Sequence, residues 1–184
     1  YVQGMGHLAA TLLLHVHEPH LACACLHALL AGYPVLRACA SLRFGPPIAA
    51  FDSALRSLLP ALAAHLDALD VRPDLYLVPW LLTAFARSLP LATAARVWDR
   101  MLSEGGRALL RAALALLRLL QPKLLAAGYE DAVRLLHALP PISEEQLATA
   151  MAKVHLPDDD EAGRALIAAS IAATRAERPP DGAA

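Results

Sequence analysis

The chain has 184 residues, 57% hydrophobic but only 5% aromatic, and its 16 Lys and Arg nearly balance 17 Asp and Glu. A formal net charge of −1 and a pI near 6.8 leave no basic footprint of the kind that binding to a phosphate backbone requires, which excludes nucleic acid as a partner. Ala and Leu, the strongest helix formers, supply most of the apolar mass, while residues that favour strands are scarce, so the expected fold class is all-α.

Proline and glycine mark out the helices. Met5 to Val16 reads as a first apolar helix, stopped by His17-Glu18-Pro19. Pro19 suits the first turn of a second helix, which runs to Leu30 and ends at Gly32. A short segment, Val35 to Leu42, precedes the breaker Gly45-Pro46-Pro47. Phe51 to Leu59 is helical, and Pro60 kinks it or opens the next helix, to Leu69. Pro73 and Pro79 frame a turn before a helix through Trp80 to Ser88, and Leu89-Pro90 breaks again.

Ala92 to Ser103 is helical and closes at Glu104-Gly105-Gly106. Arg107 to Leu125 is amphipathic, with Leu109, Leu110, Ala113, Leu116, Leu117 and Leu120 on one stripe and Arg107, Arg111 and Arg118 towards the other side. Tyr129 to Ala138 forms a further helix before Pro140-Pro141. Ser143-Glu144-Glu145-Gln146 has the S-x-x-Q form of a capping box and starts another. Beyond Pro157 and the acidic run Asp158 to Glu161, a last helix, Ala162 to Arg175, leads to a disordered tail at 179–184. No fixed repeat period emerges, so the expected architecture is a bundle of about eight to ten short helices.

No stretch supplies the roughly 20 consecutive apolar residues of a membrane span. Pro19 to Leu36 is interrupted by His20, His27, Gly32 and Pro34, and Ala108 to Leu120 by Arg111 and Arg118. No signal peptide is recognised at the start, and Tyr1 in place of Met reads as a piece or a processed form of a longer chain. Three cysteines (Cys23, Cys25, Cys39) without framework spacing suit a reducing compartment, so the expected location is cytoplasmic. His20, Cys23 and His27 share a helical face and are metal-compatible types, but no recognised zinc spacing is present and no metal is expected.

Two blocks point to a family. Tyr1-Val2-Gln3-Gly4-Met5 resembles the YxQGM motif of TBC domains, the all-helical modules that accelerate GTP hydrolysis by Rab GTPases. Further on, the helix of Pro60 to His65 is followed by Leu75 to Trp80, Phe85-Ala86-Arg87-Ser88-Leu89-Pro90-Leu91, Arg96-Val97-Trp98-Asp99 and Glu104-Gly105. These resemble, in family order, a histidine-bearing helix, a Trp-containing helix, F-x-R-x-L-P-L, R-x-W-D and a glutamate-glycine helix stop. The resemblance covers residues 1–140 as a partial TBC domain shortened at its N-terminus, and leaves 141–178 as C-terminal helices.

The resemblance implies that Gln3 is a catalytic finger inserted into a GTP-bound Rab partner. Hydrolysis needs a water in line with the γ-phosphate and stabilisation of the charge that gathers there. A glutamine amide offers both an acceptor and donors. Tyr1, Gly4, Met5 and Arg96 would contact the GTPase, Gly4 because a missing Cβ permits close approach. Arg96 and Asp99 lie three apart on one helix, so an ion pair supporting the fold stays open beside partner contact. His65, Trp80, Trp98 and Asp99 are implied structural motif residues. The partner brings GTP and Mg, so the chain needs no cofactor of its own, and endomembrane surfaces are the implied place of work.

The family's second finger is an arginine in an I-x-x-D-x-x-R-T motif upstream of the glutamine, and no such motif occurs here. Asp131-Ala132-Val133-Arg134 lies downstream and lacks the Thr. An arginine finger is worth about 10³ to 10⁵ in rate, or roughly 4 to 7 kcal/mol of barrier. The chain alone is therefore expected to be weak or inactive, with an apolar patch exposed where N-terminal helices would pack. A non-catalytic TBC-like module that binds a Rab or scaffolds other proteins is the alternative, and a His/Cys metal-binding helical protein is a third reading.

Overall fold

The computed structural model describes residues 3–41 and 43–156. Tyr1, the expected helix from Ala162 to Arg175 and the tail at 179–184 lie outside the described residues. Among the described residues there are ten α-helices and no strand: α1 (Met5–Val16), α2 (Pro19–Gly32), α3 (Pro34–Ala40), α4 (Gly45–Leu58), α5 (Pro60–Ala68), α6 (Asp74–Leu82), α7 (Leu91–Glu104), α8 (Arg107–Leu125), α9 (Tyr129–His137) and α10 (Glu144–Ala152).

Proline opens helices here more than it breaks them. Pro19, Pro34, Pro46 and Pro60 each lie in a first turn, where the missing N–H has no intrahelical partner to lose. For that reason Gly45-Pro46-Pro47, read as a breaker, is instead the first turn of α4, which begins six residues before the expected Phe51. The expected helix through Trp80 to Ser88 is the larger difference. Pro79 sits inside α6, which ends at Leu82, and a turn follows in which Ala84 and Phe85 both have positive φ. The capping box forms as expected: the Ser143 hydroxyl accepts from the Gln146 N–H (3.2 Å), and Gln146 Oε1 accepts from the Ser143 N–H (3.1 Å).

At the centre lies α8, which packs against α4, α5, α6, α7 and α10. Its expected stripe is buried, and so are Ala108, Ala112, Leu114 and Ala115 on the other faces, so from Ala108 to Leu117 the helix is enclosed nearly all round. Alanine lets neighbouring helices approach on the sides where leucine would not fit. Arg111, the interruption, reaches Glu104 on α7, which also accepts from Arg100 at 2.6 Å. Arg118 donates to the Lys153 carbonyl after α10 at 3.3 Å.

A chain of aromatic rings crosses the core beside α8. Phe51, Tyr76, Trp80 and Phe85 follow one another with centroids 6.1, 5.2 and 5.8 Å apart, in edge-on or tilted contacts. Long-range hydrogen bonds pin the C-terminal helices to this core. Trp80 Nε1 donates to the Leu136 carbonyl at 3.2 Å, His65 Nε2 to Ala127 O at 3.1 Å, and Thr93 Oγ1 to Ile142 O at 2.9 Å.

Thr93 is 2% exposed, so Thr93→Val strands a buried carbonyl at nearly constant volume. Equilibrium urea unfolding is expected to show a loss of about 1–3 kcal/mol with an unchanged m-value.

Cys39 gives a second expectation. Burial at 2% exposure pushes its thiol up to about 12, from 9.0. Burial also pushes the Tyr76 phenol above its usual range. A raised folded-state pKa contributes stability that is complete below the unfolded value and is lost as pH rises towards the folded one. Between pH 9 and about 12, wild type should therefore lose stability faster than Cys39→Ala, by up to about 1.4 kcal/mol per pH unit, in denaturant titrations run across that range.

Candidate functional site

Gln3 and Gly4 form the turn that leads into α1. Gly4 caps the helix at φ 112° and ψ −25°, a region that a side chain disfavours. A Cβ there would also lie 3.3 Å from both Cβ and O of Leu82 and 3.4 Å from Thr83 Cγ2. Glycine is thus required twice, by backbone angle and by close approach. The contact seats this turn on the end of α6, with Gln3 exposed, Gly4 buried and Met5 half-buried as the first residue of α1.

The segment under Gly4 is itself unusual. Ala84 (φ 43°) and Phe85 (φ 66°) are consecutive non-glycine residues with positive φ, each costing on the order of 1–3 kcal/mol. Several contacts over-determine them. Trp98 Nε1 donates to the Ala84 carbonyl at 2.8 Å, the Phe85 N–H donates to Trp80 O at 2.8 Å, and both residues are fully buried. Thr83 Oγ1 donates back to Pro79 O at 3.1 Å. The turn then presents Arg87 to solvent, with no hydrogen bond or ion pair among the described residues.

The structure therefore joins the two sequence blocks. Gly4 rests on Leu82 and Thr83, the next residue, Ala84, is held by Trp98, and Trp80 packs against Phe85 in a tilted contact. Arg96 and Asp99 belong to a different face. Exposed on α7, Arg96 binds Glu144 of α10 at 2.8 Å and Asp99 at 3.3 Å, so its guanidinium ties α7 to α10. His65 is used elsewhere, on the turn after α8. Tyr1 lies outside the described residues. His20, Cys23 and His27 are all exposed on α2, and among the described residues no three His, Cys, Asp or Glu side chains converge on a metal position.

Beside this turn an apolar cleft of about 490 Å³ separates α1 and α2 from α7. Leu12, Val16, Leu29 and Tyr33 line one side, Trp98 and Leu102 the other. Leu102 is 59% exposed, and Leu13, Leu14 and Leu21 are further exposed leucines on α1 and α2.

Comparison with known proteins identifies the arrangement. The Rab-GTPase-TBC domain family matches residues 1–125. The chain belongs to this family. It is 34% identical over 167 residues to TBC1 domain family member 12 of Xenopus tropicalis, covering 88% of this chain and 24% of the relative. With mouse Carabin it shares 35% identity over 170 residues, covering 84% of this chain and 36% of Carabin. Drainin of Dictyostelium discoideum is 34% identical over 159 residues, 80% of this chain and 34% of Drainin. The chain thus spans about a quarter to a third of the length of these curated relatives.

Within this TBC domain, the strained turn at Ala84-Phe85 is the feature that a helical reading of Trp80 to Ser88 missed. Its signal was the Leu89-Pro90 break together with the F-x-R-x-L-P-L block, which places a large buried ring where no helix continues. Gly4→Ala tests the seat of Gln3. It is expected to lower stability by about 1–3 kcal/mol in thermal or denaturant unfolding, while Gly6→Ala, exposed in the first turn of α1, leaves stability unchanged or slightly higher.

Proposed function

We propose that this chain acts on a GTP-bound Rab GTPase, with Gln3 inserted as the glutamine finger that stimulates hydrolysis. The observation that carries this reading is the exposed glutamine on a turn that glycine seats against the body of the domain. A residue presented from a fixed backbone approaches the nucleotide with little ordering left to do, and its amide accepts from the attacking water while donating to phosphate oxygen. The partner supplies GTP and Mg. No helix among the described residues is long and apolar enough to cross a membrane. In this reading the chain works in the cytoplasm, at endomembrane surfaces reached through the partner.

The alternative reading is recognition without catalysis, and what separates the two is whether an I-x-x-D-x-x-R-T motif lies upstream of Gln3. The D-x-x-R at Asp131 to Arg134 does not stand in for it, since it lies within α9, where the two side chains pair at 2.7 Å. Arg134 is thus engaged in its own helix.

Single-turnover hydrolysis on a panel of GTP-loaded Rabs separates the readings. It would compare the chain, Gln3→Ala, and the chain fused to an upstream segment carrying the missing motif. The fusion is expected to accelerate one Rab by about 10³-fold or more over the chain alone, and Gln3→Ala within it to remove most of that gain. Binding of a GTP-loaded Rab without acceleration by the fusion would leave recognition as the function. Absence of binding to every member would overturn both.

A further inference from the structure

Arg87 is the one described arginine without a partner. Every other one is engaged: Arg56 by Asp52 and Asp67, Arg72 by Asp74, Arg96 by Glu144, and the rest by carboxylates, carbonyls or other neighbours. Arg87 is also placed with care. Thr83, which touches Gly4, accepts from the Ala86 N–H at 2.9 Å, so Arg87 lies about one turn of chain beyond the seat of Gln3. The Ser88 and Leu89 N–H groups both donate to Phe85 O at 3.0 Å, which closes the turn around it. Two strained residues, one tryptophan hydrogen bond and one buried ring are thus committed to a segment whose exposed product is a free guanidinium. Strain that the surroundings over-determine gathers at sites of function.

We propose that Arg87 is a docking residue that pairs with a carboxylate on the surface of the GTPase engaged by Gln3. The inference rests on the GTPase reading above and deepens it. In that reading Gln3 occupies the nucleotide position, so a cation one turn of chain away meets the protein surface around it. A guanidinium fork matches a carboxylate in two parallel hydrogen bonds, and a preorganised turn loses little entropy on pairing. Such a pair adds affinity, selects among GTPases by whether the acid is present, and leaves the chemical step alone.

The test uses the Rab that binds best in the panel, loaded in turn with a non-hydrolysable GTP analogue and with GDP. Affinities are measured for wild type, Arg87→Ala, Arg87→Lys and Arg87→Glu, and saturating hydrolysis rates for the same substitutions in the motif-bearing fusion. Arg87→Ala is expected to weaken binding roughly tenfold, by the same factor for both nucleotides, with the saturating rate unchanged. Arg87→Glu should weaken it further, and a Rab variant with one surface acid changed to Arg should restore it. Melting temperatures should not move, since Arg87 holds nothing among the described residues.

Unchanged affinity in Arg87→Ala while Gln3→Ala still abolishes hydrolysis would overturn the proposal and leave the GTPase reading standing. A loss confined to the GTP-analogue form, or a fall in saturating rate, would also overturn it by assigning Arg87 to the phosphates. If no Rab binds wild type, the GTPase reading fails and Arg87's role falls with it.

Discussion

A helix whose stretch from Ala108 to Leu117 is enclosed on nearly every side is the constraint that organises this domain. The apolar faces of α8 need partners in several directions at once, and α4, α5, α6, α7 and α10 supply them. That requirement explains the mixture of Leu and Ala along it: leucines fill the gaps between neighbours, and alanines let those neighbours come close. Two of its charges are tied down by the elements around it, Arg111 by Glu104 and Arg118 by the end of α10. The aromatic chain from Phe51 to Phe85 is built on the flank of this helix and carries the packing to the turn beneath Gly4.

Much of the fold was legible because local chemistry and tertiary structure agree. The first helix, the long α8 and the capping box at Ser143 follow from apolar spacing, glycine stops and side-chain hydrogen bonding, all short-range effects. The sequence was less readable at proline. Gly45-Pro46-Pro47 has the composition of a breaker, yet proline in a first turn has no hydrogen bond to lose, and burial of Pro47, Phe51, Ala54 and Leu55 draws the whole segment into α4. Around Pro79 the expected and observed elements are displaced, because Trp80, Phe85 and Trp98 impose a turn that local propensity would not choose.

The same contrast applies to the site. Gln3 is proposed from the motif that surrounds it, and the need for glycine beside it follows from the φ of Gly4 and from Leu82. Which arginines are occupied could not be read from the sequence. Arg96 carries motif character but is bonded to Glu144, 48 positions away, whereas Arg87 in the neighbouring block has no such partner among the described residues. Pairing across such separations depends on the packing of α7 against α10, which no local pattern encodes.

The cleft between α1, α2 and α7 has a consequence for cooperativity. The first three helices attach in series: α1 packs mainly on α2, α2 on α3, and α3 on α6, while the 490 Å³ gap thins their contact with α7. Leu8, Leu12, Leu29 and Leu36 join the common core, yet a layer attached mainly in series is expected to open at a lower free energy than α8 and its ring of partners. Amide exchange is expected to show α1 and α2 opening more readily than the body around α8. Gln3 stands at the edge of that layer, beside the point where Gly4 rests on Leu82 and Thr83.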